Sequence, residues 1–395
     1  MTRTTAAQQT ADVIVIGGAV IGSSIAYFLR REGYTGRVTV IEKDPSYQWC
    51  ATGRSLASIR QQFSTPENIR MSQFGVGFYK GIKQEFGPDA DISFRERGYL
   101  VMATPQGRGV LEANIRLQQS LGADTELLEP AEIARRFPWL STEGLGAAGW
   151  GRTGEGWVDP HSLLALFRTG AIAKGVQYIA DEAVGIDVRH GRIEGVQLKS
   201  GGCIATGTVV CAAGWHSAKV AAMASMPTLP VRPKKRLVFV VDCKQPLDGC
   251  GLMIDPSGLY FRPEGKFFLA GIAPPEHEDP DAEDFEIDHS MFDEKIWPDL
   301  AARVPAMEAL KVQSAWCCHY DVSTLDHNAI IGCHPELPSF VLACGFSGHG
   351  LQQSPGVGRG IAELLVHGRY RTIDLARFGY QRVIDNQPLR ESNVY

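Results

Sequence analysis

Nowhere in its 395 residues does the chain hold a run of about 18 or more apolar residues, so no membrane-crossing helix is expected. Its opening residues, Met1–Thr10, are polar and lack the apolar centre of a secretory signal, and read as a short disordered lead-in. There is no excess of positive charge. Lys+Arg 39 against Asp+Glu 44 leaves −5, which argues against nonspecific binding of nucleic acid. There is no CxxC pair with zinc-like spacing either, although nine cysteines are present (Cys50, Cys203, Cys211, Cys243, Cys250, Cys317, Cys318, Cys333 and Cys344), and no metal site is expected. Scattered and odd in number, they read as reduced thiols of a cytoplasmic protein. Internal repeats and low-complexity tracts are missing. The 44% hydrophobic and 21% charged fractions exclude a mostly disordered chain, and the length suggests two domains. Glycine alone is in excess, 43 residues without a collagen period, so the glycines must serve loops.

The first cluster of them follows Asp12-Val-Ile-Val-Ile16, an apolar run suited to a strand buried on both faces. Gly17-Gly18-Ala19-Val20-Ile21-Gly22 comes next, then a helical stretch over Ser23–Glu32 closed by Gly33, and a second strand, Val38–Ile41, ending in Glu42. That acid lies 20 residues after Gly22, the separation at which a dinucleotide fold binds a ribose hydroxyl. Gly17 lets the chain turn off the strand, a small residue at Ala19 lets backbone approach a pyrophosphate, and Gly22 lets helix and strand pack closely. The helix N-terminus presents free N–H groups to the phosphates, and Val20 and Ile21 lie in the turn that leads to it. Ala19 departs from the motif's glycine and narrows that approach. An ordinary β-turn-α unit with chance glycines is the competing reading.

After Glu42, the stretch Tyr47–Ser55 (YQWCATGRS) is too long and irregular for a simple NAD fold and suits a loop lying along an extended flavin. Thr65-Pro66-Glu67 reads as a helix start, with the helix expected from about Pro66 to Glu85. Ala183–His190 and Arg192–Leu198 alternate as a hairpin turning at His190-Gly191, and residues 230–272 are rich in strand pattern. Pro274–Asp288 is acidic and reads as an exposed, solvated loop. The second glycine cluster, Gly345–Gly350, follows an apolar strand, Phe340–Ala343, and precedes a helix expected from Ser354, with Pro355 at its first position, to about His367. Asp321 and Asp326 read as turn residues.

These residues resemble the D-amino-acid oxidase superfamily of flavoproteins, in its sarcosine/glycine oxidase branch. Four ordered landmarks carry the resemblance across nearly the whole chain: the Gly17–Gly22 turn with Glu42, Gly156-Trp-Val-Asp159-Pro160, Val209-Val-Cys-Ala-Ala-Gly214-Trp215, and Gly345-Phe-Ser-Gly-His-Gly-Leu-Gln-Gln-Ser-Pro-Gly-Val-Gly-Arg359. With Trp316, Tyr320-Asp321 and Asp326-His327-Asn328, the chain is similar to the FAD-dependent oxidoreductase domain-containing group. That group includes bacterial amine or amino-acid dehydrogenases and a mitochondrial complex I assembly factor. The resemblance implies an α/β (α+β overall) fold, in which a Rossmann-like FAD-binding domain, discontinuous over 1–85, 151–225 and 322–395, accompanies a mainly antiparallel β-sheet substrate domain over 86–150 and 226–321. It implies FAD held by Gly17, Ala19, Val20, Ile21, Gly22, Glu42 and Lys43, by Thr52, Gly53, Arg54, Ser55 and Ala57 of the flavin loop, and by Val184, Ala213, Gly214 and Trp215. Gly345, Gly348, His349, Gly350, Leu351 and Gln352 complete the set on the pyrimidine side of the flavin. His349 either meets the cofactor or bonds to backbone.

Such enzymes oxidise a C–N bond by moving a hydride to flavin N5, while the protein supplies orientation and charge. A carboxylate substrate calls for arginine, whose fork matches it. Arg60 stands where the family binds a carboxylate, with a phosphate or surface contact as its other reading. Tyr260 and Arg262 alternate on one strand and share a face, expected to look toward the flavin. His319, Tyr320 and His349 complete the candidates. Phe268 stands where sarcosine oxidases carry an oxygen-assisting lysine, and Gln352 where they carry a carboxylate-binding one, which weakens sarcosine as the substrate. Cys318 allows covalent attachment of FAD, though noncovalent FAD is the favoured reading. The leading reading is an amine or amino-acid oxidoreductase passing electrons to oxygen, a quinone or an electron-transfer protein. Two others stay open: a hydroxy-acid dehydrogenase, and a flavin-bearing assembly protein docking a partner through the tail Tyr380–Tyr395.

Overall fold

The computed structural model describes residues 9–392. The expected lead-in over residues 1–8 and the last three residues of the expected docking arm lie outside the described residues. The apolar run after Asp12 becomes the strand Val13–Ile16, with every side chain buried. It sits in a six-stranded sheet ordered Ile330–Cys333, Phe340–Cys344, Val209–Cys211, Val13–Ile16, Val38–Glu42, Gln177–Ala180. All neighbours are parallel except at the Ile330–Cys333 edge. A parallel sheet must be covered on both faces, which is why these strands read as continuous apolar runs. Helices Val20–Arg31, Pro160–Ala173 and Gly350–His367 bury Phe28, Phe167 and Val357 in one core. A three-stranded antiparallel sheet, Ala183–Arg189, Arg192–Leu198 and Cys203–Ala205, encloses a second core around Ile14, Ile186 and Val196. Its hairpin turns at His190 and Gly191, both at positive φ, as a two-residue hairpin loop requires.

The remaining large sheet has eight strands, ordered Lys311–Ser323, Val231–Asp242, Phe267–Gly271, Tyr260–Glu264, Leu252–Ile254, Tyr99–Ala103, Ala147–Gly151, Thr125–Leu128. Only the pair Leu252–Ile254 and Tyr99–Ala103 is parallel. This sheet has its own core around Phe137, Phe239 and Phe261. The fold is therefore α/β with a Rossmann-like parallel sheet and a second, mainly antiparallel one. Among the described residues no helix is long and apolar enough to cross a membrane.

Three helices differ from expectation. The first starts at Val20 rather than Ser23; Ala19 is extended, and the Ser23 hydroxyl donates back to the Gly18 carbonyl at 2.6 Å. The second runs Pro66–Lys80 and breaks at Gly81 before a short Ile82–Phe86 turn. The third starts at Gly350, which leaves Pro355 inside it. An interior proline deprives the carbonyl four residues back of its donor. Here that carbonyl, of Leu351, accepts the Tyr79 hydroxyl at 3.0 Å and the Ser354 hydroxyl at 2.8 Å instead.

The described part of the C-terminal tail lies against its own chain. Leu389 is buried, and the Glu391 carboxylate accepts from the Ser64 and Thr65 hydroxyls and the Asn68 amide at the start of the Pro66–Lys80 helix.

Candidate cofactor and substrate site

A cavity of about 640 Å³ opens off the ends of the parallel strands. Its wall begins at the first glycine turn. Gly17 has φ +98°, and a Cβ there would lie 2.4 Å from the Ala212 carbonyl oxygen; one on Gly22 would lie 1.8 Å from that of Gly17. No side chain fits either place. Ala19 keeps a negative φ, so its methyl is tolerated. Glu42 fastens this turn: its Oε2 accepts the Gly18 N–H at 2.7 Å and its Oε1 the Asp44 N–H at 2.8 Å. Burial raises the Glu42 carboxyl pKa, and the two N–H bonds pull it back.

Of the residues expected to hold a cofactor, Gly17, Ala19, Val20, Ile21, Glu42, Lys43, Thr52, Ser55, Ala213, Gly214, Trp215, Gly348, Gly350 and Leu351 line this cavity. Lys43 Nζ meets His216 Nε2 at 2.8 Å; burial and the charges of Lys43 and Lys219 hold His216 down to about 4, so its ring is neutral and accepts. Others have different employment. Gly22 serves packing alone, and Gly53 makes room for the His161 ring, 2.6 Å from where its Cβ would be. Arg54 donates to the carbonyls of Gln48 and Cys317 at 2.8 and 2.9 Å and lies over Trp49. Ala57 is buried at φ +53° and accepts the Val158 N–H. Val184 is 47% exposed, away from the cavity; strand alternation turns its neighbour Ala183 inward instead.

At the other glycine loop, Asp321 is more than a turn residue. Its Oδ2 accepts the N–H groups of Gly345, at φ +72°, and Phe346, at 2.7 and 3.2 Å, and the residue lines the cavity. Burial pushes its carboxyl up to about 6 despite those bonds. Asp326 instead pairs with Arg382 at 2.9 Å, away from the cavity. A Cβ on Gly348 would meet the Tyr320 ring at 2.3 Å, so glycine there lets loop and strand touch.

Arg60, His349 and Gln352 come together. Arg60 is 6% exposed, and its Nη2 contacts His349 Nε2 at 3.0 Å. Its Nη1 donates to the Gln62 carbonyl at 3.0 Å, and its backbone N–H donates to Gln352 Oε1 at 2.9 Å. The guanidinium lies over Phe63. Burial and the Arg60 charge hold His349 down to about 3, so it is a neutral acceptor.

The other three candidates do not join this group. Tyr260 and Arg262 share a face as expected, but Arg262 is spent on the Leu56 and Pro263 carbonyls, Glu264 and the Trp157 ring. The Tyr260 hydroxyl is buried with no hydrogen-bond partner among the described residues, and a Cβ on Gly271 would reach it at 2.4 Å. His319 is buried between Trp215 and Phe285, with centroids 5.1 and 4.6 Å away. The register puts Phe267, Leu269 and Gly271 opposite Glu264, Arg262 and Tyr260, so Phe268 faces the other way, into the core with Phe261. Cys318 is buried, and its thiol is pushed up to about 12, which keeps it protonated.

The acidic loop corrects another expectation. It is not simply solvated: Asp279 grips Arg236 with two bonds of 2.8 Å, Asp281 pairs with Lys234, Glu283 with Lys219 and Asp284 with Lys235. It thereby sets Phe285 into the cavity wall against Trp49. The four basic residues of Val231–Asp242, opposite in sign to the acids of the loop, were the available signal. Phe285, Asp321 and Ala183 carried no motif of their own.

Comparison with known proteins bears on the same residues. Residues 12–364 match the family described as FAD dependent oxidoreductase. FAD-dependent oxidoreductase domain-containing protein 1 of Xenopus laevis is 41% identical, over 98% of this chain and 85% of its own. The mitochondrial sarcosine dehydrogenase of Mus musculus is 27% identical, over 97% of this chain and 43% of its own. Among solved structures, L-proline dehydrogenase from P. horikoshii superposes with a TM-score of 0.86 at 27% identity, covering 96% of this chain and 100% of that one.

Proposed function

The chain belongs to the FAD-dependent oxidoreductase family, and on that premise we propose that it oxidises the C–N bond of a carboxylate-bearing amine: a D-amino acid, an N-alkyl amino acid or an opine. The residues present fit the cofactor: two turn positions admit no Cβ, an acid stands at the end of the second strand, and a second glycine loop precedes a helix N-terminus. When bound, noncovalent FAD supplies the hydride acceptor. The flavin-binding unit in this reading comprises 1–85, 151–225 and 322–395, and the substrate unit 86–150 and 226–321.

The observation that carries the proposal is Arg60, whose buried guanidinium contacts a neutral histidine and whose backbone N–H is held by a glutamine from the start of the Gly350–His367 helix. A substrate carboxylate bound there is oriented by a rigid fork rather than by a mobile surface side chain. His349 accepts from Arg60 as a neutral ring and so brings no negative charge to the cation. The helix start beyond the Asp321-pinned loop offers N–H groups to charge that develops during hydride transfer.

Anaerobic mixing of the FAD-loaded protein with a panel of D-amino acids, N-methyl amino acids, opines and hydroxy acids tests the reading. At least one amine is expected to bleach the flavin, and Arg60→Lys is expected to raise the concentration needed by at least about tenfold, the loss of one charge-assisted bond. Bleaching by hydroxy acids alone selects C–O oxidation, and bleaching by nothing in the panel overturns the proposal. Reoxidation with air or with a quinone then identifies the acceptor.

A further inference from the structure

Next to Arg60 lies a buried carboxylate that none of the landmarks includes. Glu155 is 1% exposed. Its Oε1 accepts the Gln61 N–H at 2.6 Å and its Oε2 the Gln62 side-chain amide at 2.8 Å. Gln62 in turn accepts Arg60 Nη1 at its carbonyl and donates to the Tyr99 carbonyl at 2.9 Å. Room for this cluster is made by missing side chains. A Cβ on Gly151 would lie 1.9 Å from Glu155 Oε2, one on Gly149 would lie 2.8 Å from Gln62 Oε1, and one on Gly154 would lie 2.7 Å from Gln61 Nε2. Three glycines within six residues are thus given over to seating one acid and two amides behind Arg60.

Burying an acid is costly unless the charge is compensated. Of the charged groups on neighbouring segments, Lys80 pairs with Glu96, whose carboxylate also takes the Gly154 N–H, Arg152 pairs with Asp124, and Arg95 and Arg97 are exposed. His349 is neutral, which leaves Arg60 as the compensating charge. Burial pushes the Glu155 carboxyl up to about 7, against the pull of the Gln62 and Gln61 bonds and of Arg60.

We propose that Glu155 is the positioning residue and resident counter-charge of Arg60: it fixes the Arg60–Gln62 segment, and it takes one proton from solvent when a carboxylate ligand settles on the guanidinium. The step rests on the reading of Arg60 given above. The ligand brings one negative charge and solvent supplies one proton to Glu155, so the buried charge is unchanged and no bond of the ligand is altered. The physical cause is that a second anion beside Arg60 disfavours the first. Glu155 touches neither the ligand nor the reacting atoms in this account.

Benzoate serves as the carboxylate probe, with binding to the FAD-loaded protein followed by flavin absorbance from about pH 6 to pH 9. For the wild type, affinity is expected to fall by up to about tenfold per pH unit above the Glu155 pKa, with proton uptake recorded by an indicator dye in weak buffer. Glu155→Gln should flatten the profile and abolish the uptake while retaining FAD; an unchanged slope and uptake in that variant overturn the proposal. A second measurement needs no ligand. The infrared C=O band of the protonated Glu155, identified by its loss in Glu155→Gln, should titrate at least about one pH unit higher in Arg60→Gln. A band that stays in place overturns the counter-charge pairing. Equal benzoate affinity in wild type and Arg60→Gln overturns the reading of Arg60, and with it ligand-linked uptake, while the infrared shift still decides whether Glu155 and Arg60 are paired.

Discussion

The turn after Val13–Ile16 and the cluster around Arg60 are built in opposite ways. The first is defined by atoms that are absent: backbone meets backbone at Gly17, Gly22 and Ala212, and one acid, Glu42, ties the turn together. The second is defined by side chains that occupy one another, with Arg60 bonded to Gln62 close by and to His349 and Gln352, 289 and 292 residues away. Glycine appears in both, but in the second it clears space for Glu155, Gln61 and Gln62 rather than for backbone. In the proposed reading, a site for a shared cofactor thus rests on chain geometry, and a site for one substrate rests on side-chain pairing.

The largest effect should therefore come from one methyl group on the cofactor side. Gly22→Ala puts a Cβ against the Gly17 carbonyl oxygen at 1.8 Å, and backbone must move to accept it. The purified variant is expected to carry little or no FAD, measured as flavin absorbance per polypeptide. Full FAD content would break the contrast, since the turn would then tolerate a side chain.

Next in size is a side-chain pairing from the other region. Arg236 is 8% exposed and held by two bonds from Asp279. Asp279→Ala leaves a buried cation without its partner, which is expected to cost about 3–5 kcal/mol. Denaturant unfolding checks this, and the double variant Arg236→Met with Asp279→Leu should recover most of the loss. A single variant as stable as wild type would show that the pairing carries no weight.

The same contrast accounts for what could be read in advance. The parallel sheet, the glycine turn, Glu42 and the His190-Gly191 hairpin are local patterns, with apolar runs, glycine spacing and turn chemistry each visible within a short window. Arg60, His349 and Gln352 were found through resemblance, yet nothing local told that Gln352 would hold the Arg60 backbone, 292 residues away. The core facing of Phe268 could not be read in advance, because facing is invisible without the register of its neighbour. Pro355 misled because its cost inside a helix is offset by a hydroxyl on Tyr79, from another helix. Glu155 was missed because a buried acid looks like any surface acid until its surroundings are known.

A smaller effect is expected at Glu42. Its two oxygens each accept a backbone N–H, so Glu42→Gln sets an amide NH2 against one of them. Loss of a charge-assisted bond of about 1.5–3 kcal/mol should weaken FAD retention by roughly ten- to hundredfold, read as the dissociation constant in apoprotein reconstitution. Weakening as complete as in Gly22→Ala would mean that the acid, not the turn, sets the cofactor site.

The smallest effect should come from the exposed ion pairs of the acidic loop, the buried Asp279–Arg236 pair aside. The Lys219–Glu283 pair is about half exposed on both sides, and an exposed pair contributes about 0–1 kcal/mol. Phe285, by contrast, packs against Trp49 and His319 with centroids 4.5 and 4.6 Å away, contacts that salt does not screen. Glu283→Gln is therefore expected to change unfolding free energy by less than about 1 kcal/mol and to leave FAD retention unaltered, while Phe285→Ala loosens FAD at unchanged charge. If Glu283→Gln instead releases FAD at low salt and Phe285→Ala does not, the loop is held by charge and the cavity wall by the loop. That part of the cavity wall would then owe its order to long-range electrostatics rather than to buried contacts.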